Sequence, residues 1–291
     1  MGGHLQLDKG RFAAYFDVKP FYISHDLSSH PLLSLPALAA LSTRLPPEVV
    51  EWNEGHSGAY GQPDLTRKAS RGCPETILGI DERPGWVLLR LVEKDPIYAA
   101  LLDDLLDEIR PLSERVRPGM SRREGFIFIS HSEAVTPFHF DPEHNFLLQV
   151  RGSKTVHMWD PDDRFVLPDD AIDDFYADLK DNRNQPYDDT FLATARKLPL
   201  ATGQGLHFPL HAPHWVRTES DVSISFSITF RSDFSNRQLA ARAANAHLRR
   251  FGLHPPKVGR SPFWDTAAST GFRVFNRLRR ELRHDKAEPL H

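Results

Sequence analysis

The stretch TPFHFDPEHNFLLQVRGSK, residues 136–154, decides the fold of this chain. It reads as two short strands joined by a turn, and its aromatic and aliphatic residues indicate that the strands are buried. It also holds two histidines, two acidic residues, an Asn, a Gln and a Lys. Either these are ordinary surface positions, or they converge on something bound, because polar groups inside a protein need partners.

The same pattern of short apolar runs extends from residue 125 towards residue 230. Short runs rich in β-branched and aromatic residues alternate with turn residues. Regular short strands of this kind predict an antiparallel sandwich or barrel. The further runs are GFIFIS (125–130), KTVHMWD (154–160), GQGLHFPL (203–210) and VSISFSITF (222–230).

Helical patterns lie on both sides of the strand series. Residues 34–44 predict a helix capped by Ser34, and residues 95–111 predict another, with Asp95 as its cap and Pro96 in the first turn. Between them, residues 53–75 read as a long loop that contains Cys73, and residues 86–92 as a buried strand. Further helices are expected around residues 169–180, from 236 to 252 and from 261 onward.

Three parts follow from this pattern. Residues 1–120 form an N-terminal extension of helices and strands, residues 121–235 form a β core with an acidic insert at 161–200, and residues 236–291 form a basic helical segment. The last part carries 12 Lys/Arg and 4 Asp/Glu, so it has a surplus of 8 positive charges in a chain of net charge −3. Without a nucleic-acid motif, this charge predicts solvated helix faces, and nucleic-acid binding is unlikely.

The composition excludes several classes of protein. The chain has 291 residues, of which 40% are hydrophobic and 26% charged, as in ordinary globular domains. The single Cys73 excludes an internal disulfide and a Cys-rich zinc site. No run approaches the roughly 18 apolar residues of a membrane span. The expectation is a soluble protein of a reducing cytoplasm.

The HxD motif predicts half of a metal site. Side chains two apart on a strand point the same way, so His139 and Asp141 share one face. A second histidine would complete a 2-His-1-carboxylate triad, the pattern of non-haem Fe(II) oxygenases, although a lone HxD also occurs by chance. We favour His214, because it begins a strand after a Pro-containing turn. The other candidates are His207, on the preceding strand, and His211, in the turn.

Further polar side chains accompany the HxD pair. Asn145 and Gln149 alternate on the next strand, and amides that face a barrel interior need partners. Lys154 begins the strand after that, and a buried Lys needs an anion. A metal, this Lys and the hydroxyl of Thr136 in one barrel suit a small dicarboxylate, one end of which chelates the metal while the other pairs with the Lys.

These motifs together resemble a known family. The pattern T-P-x-H-x-D-x-x-x-N-(x)5-[KR]-G-x-K in residues 136–154, followed by FPLHAPHWV (208–216) and SISFSITF (223–230), is similar to the JmjC/cupin-8 class of Fe(II)- and 2-oxoglutarate-dependent dioxygenases. The similarity is greatest to the branch that contains the asparaginyl hydroxylase called factor inhibiting HIF. It covers residues 120–232 well and the N-terminal region loosely. It implies a mainly β fold with flanking helices: a double-stranded β-helix (jelly-roll or cupin) core with an N-terminal α/β extension and C-terminal helices.

The resemblance also implies roles for individual residues. The matching positions make His139, Asp141 and His214 the iron ligands, while Thr136 and Lys154 hold the distal carboxylate of 2-oxoglutarate. Asn145 matches a residue that contacts the cosubstrate near the metal. The chain departs from the branch at three positions, and these departures leave the substrate in doubt more than the iron. They are Ser227, in place of a second Asn, and His211 and Pro213, each in place of an aromatic residue.

The function implied is an Fe(II)/2-oxoglutarate-dependent oxygenase. It would use O2 to hydroxylate a C–H bond of an amino acid, a peptide or protein side chain, or a small metabolite, with succinate and CO2 as coproducts. Two alternatives stay open: an inactive cupin-like binding or regulatory protein, and a metal-dependent cupin enzyme that does not use 2-oxoglutarate.

Two further expectations concern partners and the site's surroundings. Similar proteins often dimerise through C-terminal helices, so a homodimer is expected there by resemblance, with Phe263, Trp264, Phe272 and Phe275 as an apolar stripe. Arg90 either points towards a substrate or cosubstrate acid or lies in an ion pair at an exposed edge.

Overall fold

The computed structural model describes residues 3–54, 67–68, 71–178, 184–220, 222–261, 263–272 and 274. The chain separates into two compact units, one of residues 1–161 and 184–232, the other of residues 162–183 and 233–291. The three-part division expected from the sequence stays a prediction. No helix within the described ranges is long and apolar enough to span a membrane.

The first unit is built on antiparallel strands that follow the predicted series. In chain order they are Leu5–Gln6 (β1), Phe21–His25 (β2), Val50–Glu54 (β3), Arg67–Lys68 (β4), Gly85–Arg90 (β5), Ser121–His131 (β6), Val135–His139 (β7), His144–Arg151 (β8), Ser153–Met158 (β9), Arg196–Ala201 (β10), Gln204–Phe208 (β11), His214–Thr218 (β12) and Val222–Arg231 (β13).

These strands form two sheets. The large sheet has the order β1-β2-β11-β8-β13-β6-β5-β3-β4, and the small sheet has the order β10-β9-β12-β7. From β6 to β9 and again from β11 to β13, the chain alternates between the two sheets with each strand. This alternation is that of a jelly roll, so the predicted mainly β fold with a cupin core is confirmed.

Helices of the first unit pack around the large sheet. They are Lys9–Tyr15 (α1), Leu35–Arg44 (α2), Cys73–Leu78 (α3) and Pro96–Val116 (α4). The predicted caps are in place, since Ser34 precedes α2 and the Asp95 side chain accepts hydrogen bonds from the backbone N–H of Ile97 at 3.0 Å and of Tyr98 at 3.4 Å.

The predicted loop at 53–75 is wrong at both ends. Strand β3 continues to Glu54, and Cys73 begins helix α3 rather than lying in a loop. The reason is local: Gly72 has φ +87°, which turns the chain, and a proline follows in the first turn of the helix. Cys73 is fully buried, and burial raises the pKa of its thiol to about 12, so it is no nucleophile. Residues 55–66 and 69–70 lie outside the described ranges.

Two cores lie on the two faces of the large sheet. The outer face packs against the helices through residues such as Ile127, Phe226 and Leu106. The inner face meets the small sheet through a smaller cluster: Leu147, Val156, Met158, Leu200, Leu206, Phe208, Ala212 and Val216. The polar residues singled out in the sequence border this smaller cluster.

The second unit contains the helices Asp169–Asp178 (α5) and Asp233–Arg250 (α6), and residues 263–272 are also helical. The buried Asp173 accepts from Arg242 at 2.8 Å and from Arg249 at 2.7 Å, so the basic segment neutralises the acidic insert. Of the expected aromatic stripe, Phe263 is 84% exposed and Trp264 donates to Asn245. Phe275 lies outside the described residues, and the homodimer stays a prediction.

Candidate metal centre

Three side chains converge at one end of the small sheet. His139 is the last residue of β7, His214 is the first residue of β12, and the two lie directly opposite each other. Asp141 lies just beyond β7, not within it as the sequence suggested. One ligand atom from each of the three residues lies within 4.8 Å of the others. The structure thus brings together the three residues that the resemblance names as iron ligands.

Hydrogen bonds from the backbone orient both imidazoles. Nδ1 of His139 lies 2.7 Å from the carbonyl oxygen of Pro137, and Nδ1 of His214 lies 2.9 Å from that of Ala212. A carbonyl can only accept, so each Nδ1 carries the proton in a neutral ring and Nε2 offers a lone pair. Both Nε2 atoms face Asp141, at 3.8 Å from its Oδ1 and 3.9 Å from its Oδ2.

A buried amide and a hydroxyl hold the carboxylate. Nδ2 of Asn145 donates to Oδ2 of Asp141 at 2.7 Å, and Oγ of Ser227 donates to Oδ1 of Asn145 at 2.7 Å. Asn145 is thus placed against an expected metal ligand. Ser227, not chosen as a site residue from the sequence, supports it. The alternation of serines in VSISFSITF was the available signal, because residues two apart on a strand share a face.

The donor set fits a divalent transition metal. Two neutral imidazole nitrogens and one carboxylate oxygen, each oriented by a further hydrogen bond, are the ligands that non-haem iron sites use. The separations near 3.8 Å exceed hydrogen-bond length, so a bound cation would fill the space between the groups. In this centre His139, Asp141 and His214 would hold the metal.

Lys154 lies on the same side of the small sheet as the metal centre. Within the sheet, Lys154 is opposite Thr218 on β12, four residues along that strand from His214. This places the two backbones roughly 13 Å apart, at ~3.3 Å per residue. The Lys154 ammonium nitrogen lies 5.4 Å from the centre of the Phe128 ring on the large sheet, so the side chain extends into the barrel.

The environment of Lys154 is apolar. The residue is 4% exposed, and burial lowers the pKa of its amino group to about 7. Across the described ranges no carboxylate pairs with it. Thr136, opposite Val216 on β12, offers a hydroxyl on the same face. Within the described ranges, the barrel therefore holds a buried amine without a carboxylate partner on the same face as a candidate metal site.

The remaining candidate histidines have other roles. His207 is fully buried behind the large sheet, donates from Nδ1 to the Asn145 carbonyl at 3.1 Å and accepts at Nε2 from the Asp17 N–H at 3.0 Å. Burial, together with the nearby His144, lowers the pKa of His207 to about 3. His211 lies in the turn with φ +63°, and its N–H donates to the Asp141 carbonyl. Neither belongs to the metal cluster.

Comparison with known proteins agrees with this fold. Residues 92–236 match the family model of the cupin-like domain. An X-ray structure of Escherichia coli YcfD is 15% identical, covers 94% of this chain and 68% of that chain, and has a TM-score of 0.52. A second structure, of YcfD described as a ribosomal oxygenase in complex with cobalt and 2-oxoglutarate, is 14% identical and covers 99% and 69% of the two chains, with a TM-score of 0.49.

At 15% sequence identity, the likeness with a TM-score of 0.52 shows a shared fold. No curated protein matches the sequence. The family match lies over the strands that carry all the candidate site residues. Residues 92–236 are therefore identified as a cupin-like domain.

Proposed function

We propose that this protein is an Fe(II)- and 2-oxoglutarate-dependent oxygenase that hydroxylates a C–H bond of an amino acid, a peptide or protein side chain, or a small metabolite. The observation that carries the proposal is Lys154, a buried amine that no carboxylate of the described residues pairs with, on the same barrel face as a His-Asp-His cluster. Buried charges in proteins are paired. The missing anion would be the distal carboxylate of the cosubstrate.

The dimensions suit a five-carbon dicarboxylate. Its keto-acid end would reach the metal between His139, Asp141 and His214, and its distal end would meet the Lys154 ammonium and the Thr136 hydroxyl. The extended Lys side chain and the ligand together span the separation of roughly 13 Å between the two ends of the site. An anion at Lys154 raises the pKa of its amine, so the bound state holds the proton there.

The protein's residues position the reactants and keep the site dry. Asn145 and Ser227 hold the Asp141 carboxylate, and the two carbonyl-anchored imidazoles fix the direction of their Nε2 atoms. Leu147, Leu206 and Phe208 line the barrel near the site and are almost fully buried. When bound, iron and 2-oxoglutarate supply the oxidation with O2, and succinate and CO2 are the coproducts.

The same observation separates the proposal from its alternatives. A metal-dependent cupin that does not use 2-oxoglutarate has no need of a buried cation opposite the metal. An inactive cupin would have no reason to keep a lysine whose burial disfavours its charge. Lys154 therefore favours the oxygenase over both.

The test is an anaerobic titration with Fe(II) and 2-oxoglutarate that follows the visible metal-to-ligand charge-transfer band. The wild type is expected to develop the band. Asp141→Ala and Lys154→Ala are expected to weaken it, for loss of a metal ligand and of the carboxylate partner respectively. Lys197→Ala, at an exposed position of β10, is the matched control and should behave as wild type.

Each other outcome rejects a defined part of the proposal. Iron binding without the band would indicate a cupin that does not bind 2-oxoglutarate. A band that survives in Lys154→Ala would remove the role of Lys154. Absence of iron binding would reject the metal centre itself.

A further inference from the structure

A row of side chains crosses the large sheet away from the metal centre. Ser227 on β13 lies directly opposite Phe126 on β6, and Phe126 lies directly opposite Arg90 on β5. Directly opposed residues project from the same face of a sheet. Because the Ser227 hydroxyl reaches Asn145 beside the metal ligands, this is the face of the site. Arg90 therefore shares a surface with the metal centre.

The part of this surface on β5 is accessible. Along β5 the buried residues Gly85, Val87 and Leu89 alternate with the half-buried Trp86, Leu88 and Arg90. Val87 and Leu89 belong to the main core on the other face. The site face thus opens from the nearly buried Phe126 outward to Arg90.

An ion pair orients Arg90 and uses only some of the N–H donors of its guanidinium group. Its Nη1 donates to Oε1 of Glu51 on β3 at 2.9 Å, and the two side chains are only 23% and 14% exposed. In the part of the chain that the structure describes, no other acceptor meets the guanidinium. The ion pair fixes the guanidinium plane and leaves Nε and Nη2 available. That pair of parallel N–H donors matches the two oxygens of a carboxylate.

The sheet spacing sets a minimum length for the ligand, because Asn145, which holds the metal ligand Asp141, lies on β8, one strand further from Arg90 than Ser227. Ser227 and Arg90 lie two strands apart, which is roughly 10 Å at the usual spacing of ~4.8 Å. An extended peptide covers this distance in about three residues. Between the ends lies the ring of Phe126, which suits an apolar stretch of the ligand.

We propose that Arg90 binds a carboxylate of the substrate, and that the substrate is an extended acidic peptide segment whose oxidised C–H lies at least about three residues from that carboxylate. This inference rests on the proposed oxygenase function and assigns its substrate class. Arg90 is then a specificity-determining residue, with Glu51 as the residue that orients it.

The test uses two matched pools of N-acetylated, C-amidated hexapeptides, one with Glu fixed at each position in turn and the other with Gln. Succinate release is measured with Fe(II) and 2-oxoglutarate. The wild type is expected to turn over the Glu pool at least about 10-fold faster than the Gln pool, because a hydrogen bond to a charged group is lost in the amide. Arg90→Ala should abolish this preference through KM, and Arg90→Lys should restore part of it, since Lys keeps the charge but not the paired donors.

Arg217→Ala is the matched control, since Arg217 lies exposed on the small sheet and should leave the preference unchanged. Equal turnover of both pools by the wild type, or a Glu preference that survives in Arg90→Ala, would overturn the inference. So would oxidation of single N-acetylated amino acids in place of either pool. A normal charge-transfer band with no peptide oxidised rejects only this inference, whereas absence of the band rejects the oxygenase itself.

Discussion

Two pairs of histidines in this protein have similar surroundings but different chemistry. His139 and His214 face Asp141 at the metal centre, while His144 and His207 lie behind the large sheet near Asp17. In the second pair both nitrogens of His207 are bonded to backbone groups, while Nε2 of His144 lies 2.9 Å from the Ser232 hydroxyl and its Nδ1 lies 3.5 Å from Oδ1 of Asp17. In the first pair a backbone carbonyl binds Nδ1 of each ring, and Nε2 faces a carboxylate.

The two carboxylates differ in the same way. Burial alone would raise the pKa of Asp17, but His144 and Arg117 lower it overall, and Arg117 donates to it at 2.7 Å. Asp141 has its amide partner Asn145 on one oxygen and two imidazoles beyond hydrogen-bond distance. The comparison teaches that the convergence of two imidazole nitrogens on one carboxylate, not burial or residue type, separates a set of candidate ligands from core residues.

The largest expected effect distinguishes His214, a candidate ligand, from His207, a core residue. His214→Ala should weaken Co(II) binding more than about 100-fold, because a ligand is lost. His207→Ala should leave Co(II) affinity within a few fold but lower the free energy of unfolding by about 2–4 kcal/mol, since a buried, bonded ring is removed. Co(II) absorption titration and chemical denaturation check the two effects. The reverse pattern would make His207 the ligand.

Replacement of Lys154 by an apolar residue should weaken the binding of 2-oxoglutarate and raise the stability of the fold. Lys154→Met should lower 2-oxoglutarate affinity at least about 100-fold and raise the free energy of unfolding of the metal-free protein by about 1–4 kcal/mol at pH 6. The gain should shrink above pH 7, because the folded protein then releases the proton that the unfolded chain keeps to about pH 10. A destabilised Lys154→Met would indicate that the amine is paired in the fold.

The lowered pKa of Lys154 predicts that the binding of 2-oxoglutarate depends on pH. With the amine titrating near pH 7, about nine-tenths of it is neutral at pH 8 and must take up a proton when a carboxylate binds. The Kd of 2-oxoglutarate at saturating Co(II) should therefore rise about tenfold between pH 7.5 and 8.5. Lys154→Arg should bind without this slope, since Arg stays charged. A flat profile in the wild type would contradict the unpaired amine.

The smallest effect concerns the support of Asp141. Ser227→Ala removes the hydroxyl that orients Asn145, so metal affinity should fall by up to about 10-fold with 2-oxoglutarate selectivity unchanged. Ser223→Ala is the matched control, because Ser223 bonds Gln149 farther along β13. Equal losses in both variants would show a general effect of serine removal from the strand.

Much of the fold could be predicted from the sequence. The alternation of residues along a strand and the capping of a helix both depend on residues that are neighbours in the chain. The strand series, the Asp95 cap and the start of a strand at His214 follow from neighbours in the chain. The prediction of a loop at 53–75 was wrong because Gly, Pro and charged residues also begin helices, as at Cys73.

The site was harder to predict where it depends on pairing across strands. The hydrogen bond from Ser227 to Asn145 and the opposition of Phe126 and Arg90 require the register of β13, β8, β6 and β5. The residues alone favoured His214 but left His207 and His211 as candidates, since the partners of the ring nitrogens are set by pairing across strands.

The most direct test of the central claim, that Lys154 is the counter-ion of a metal-chelating dicarboxylate, is keto-acid selectivity. Binding of 2-oxoglutarate and of 2-oxovalerate, which lacks the distal carboxylate, is measured at saturating Co(II) in the wild type and in Lys154→Met. The wild type should prefer 2-oxoglutarate by about 100-fold or more, and Lys154→Met should bind both within about threefold of each other. A wild type without preference, or a preference that survives in Lys154→Met, would contradict the account.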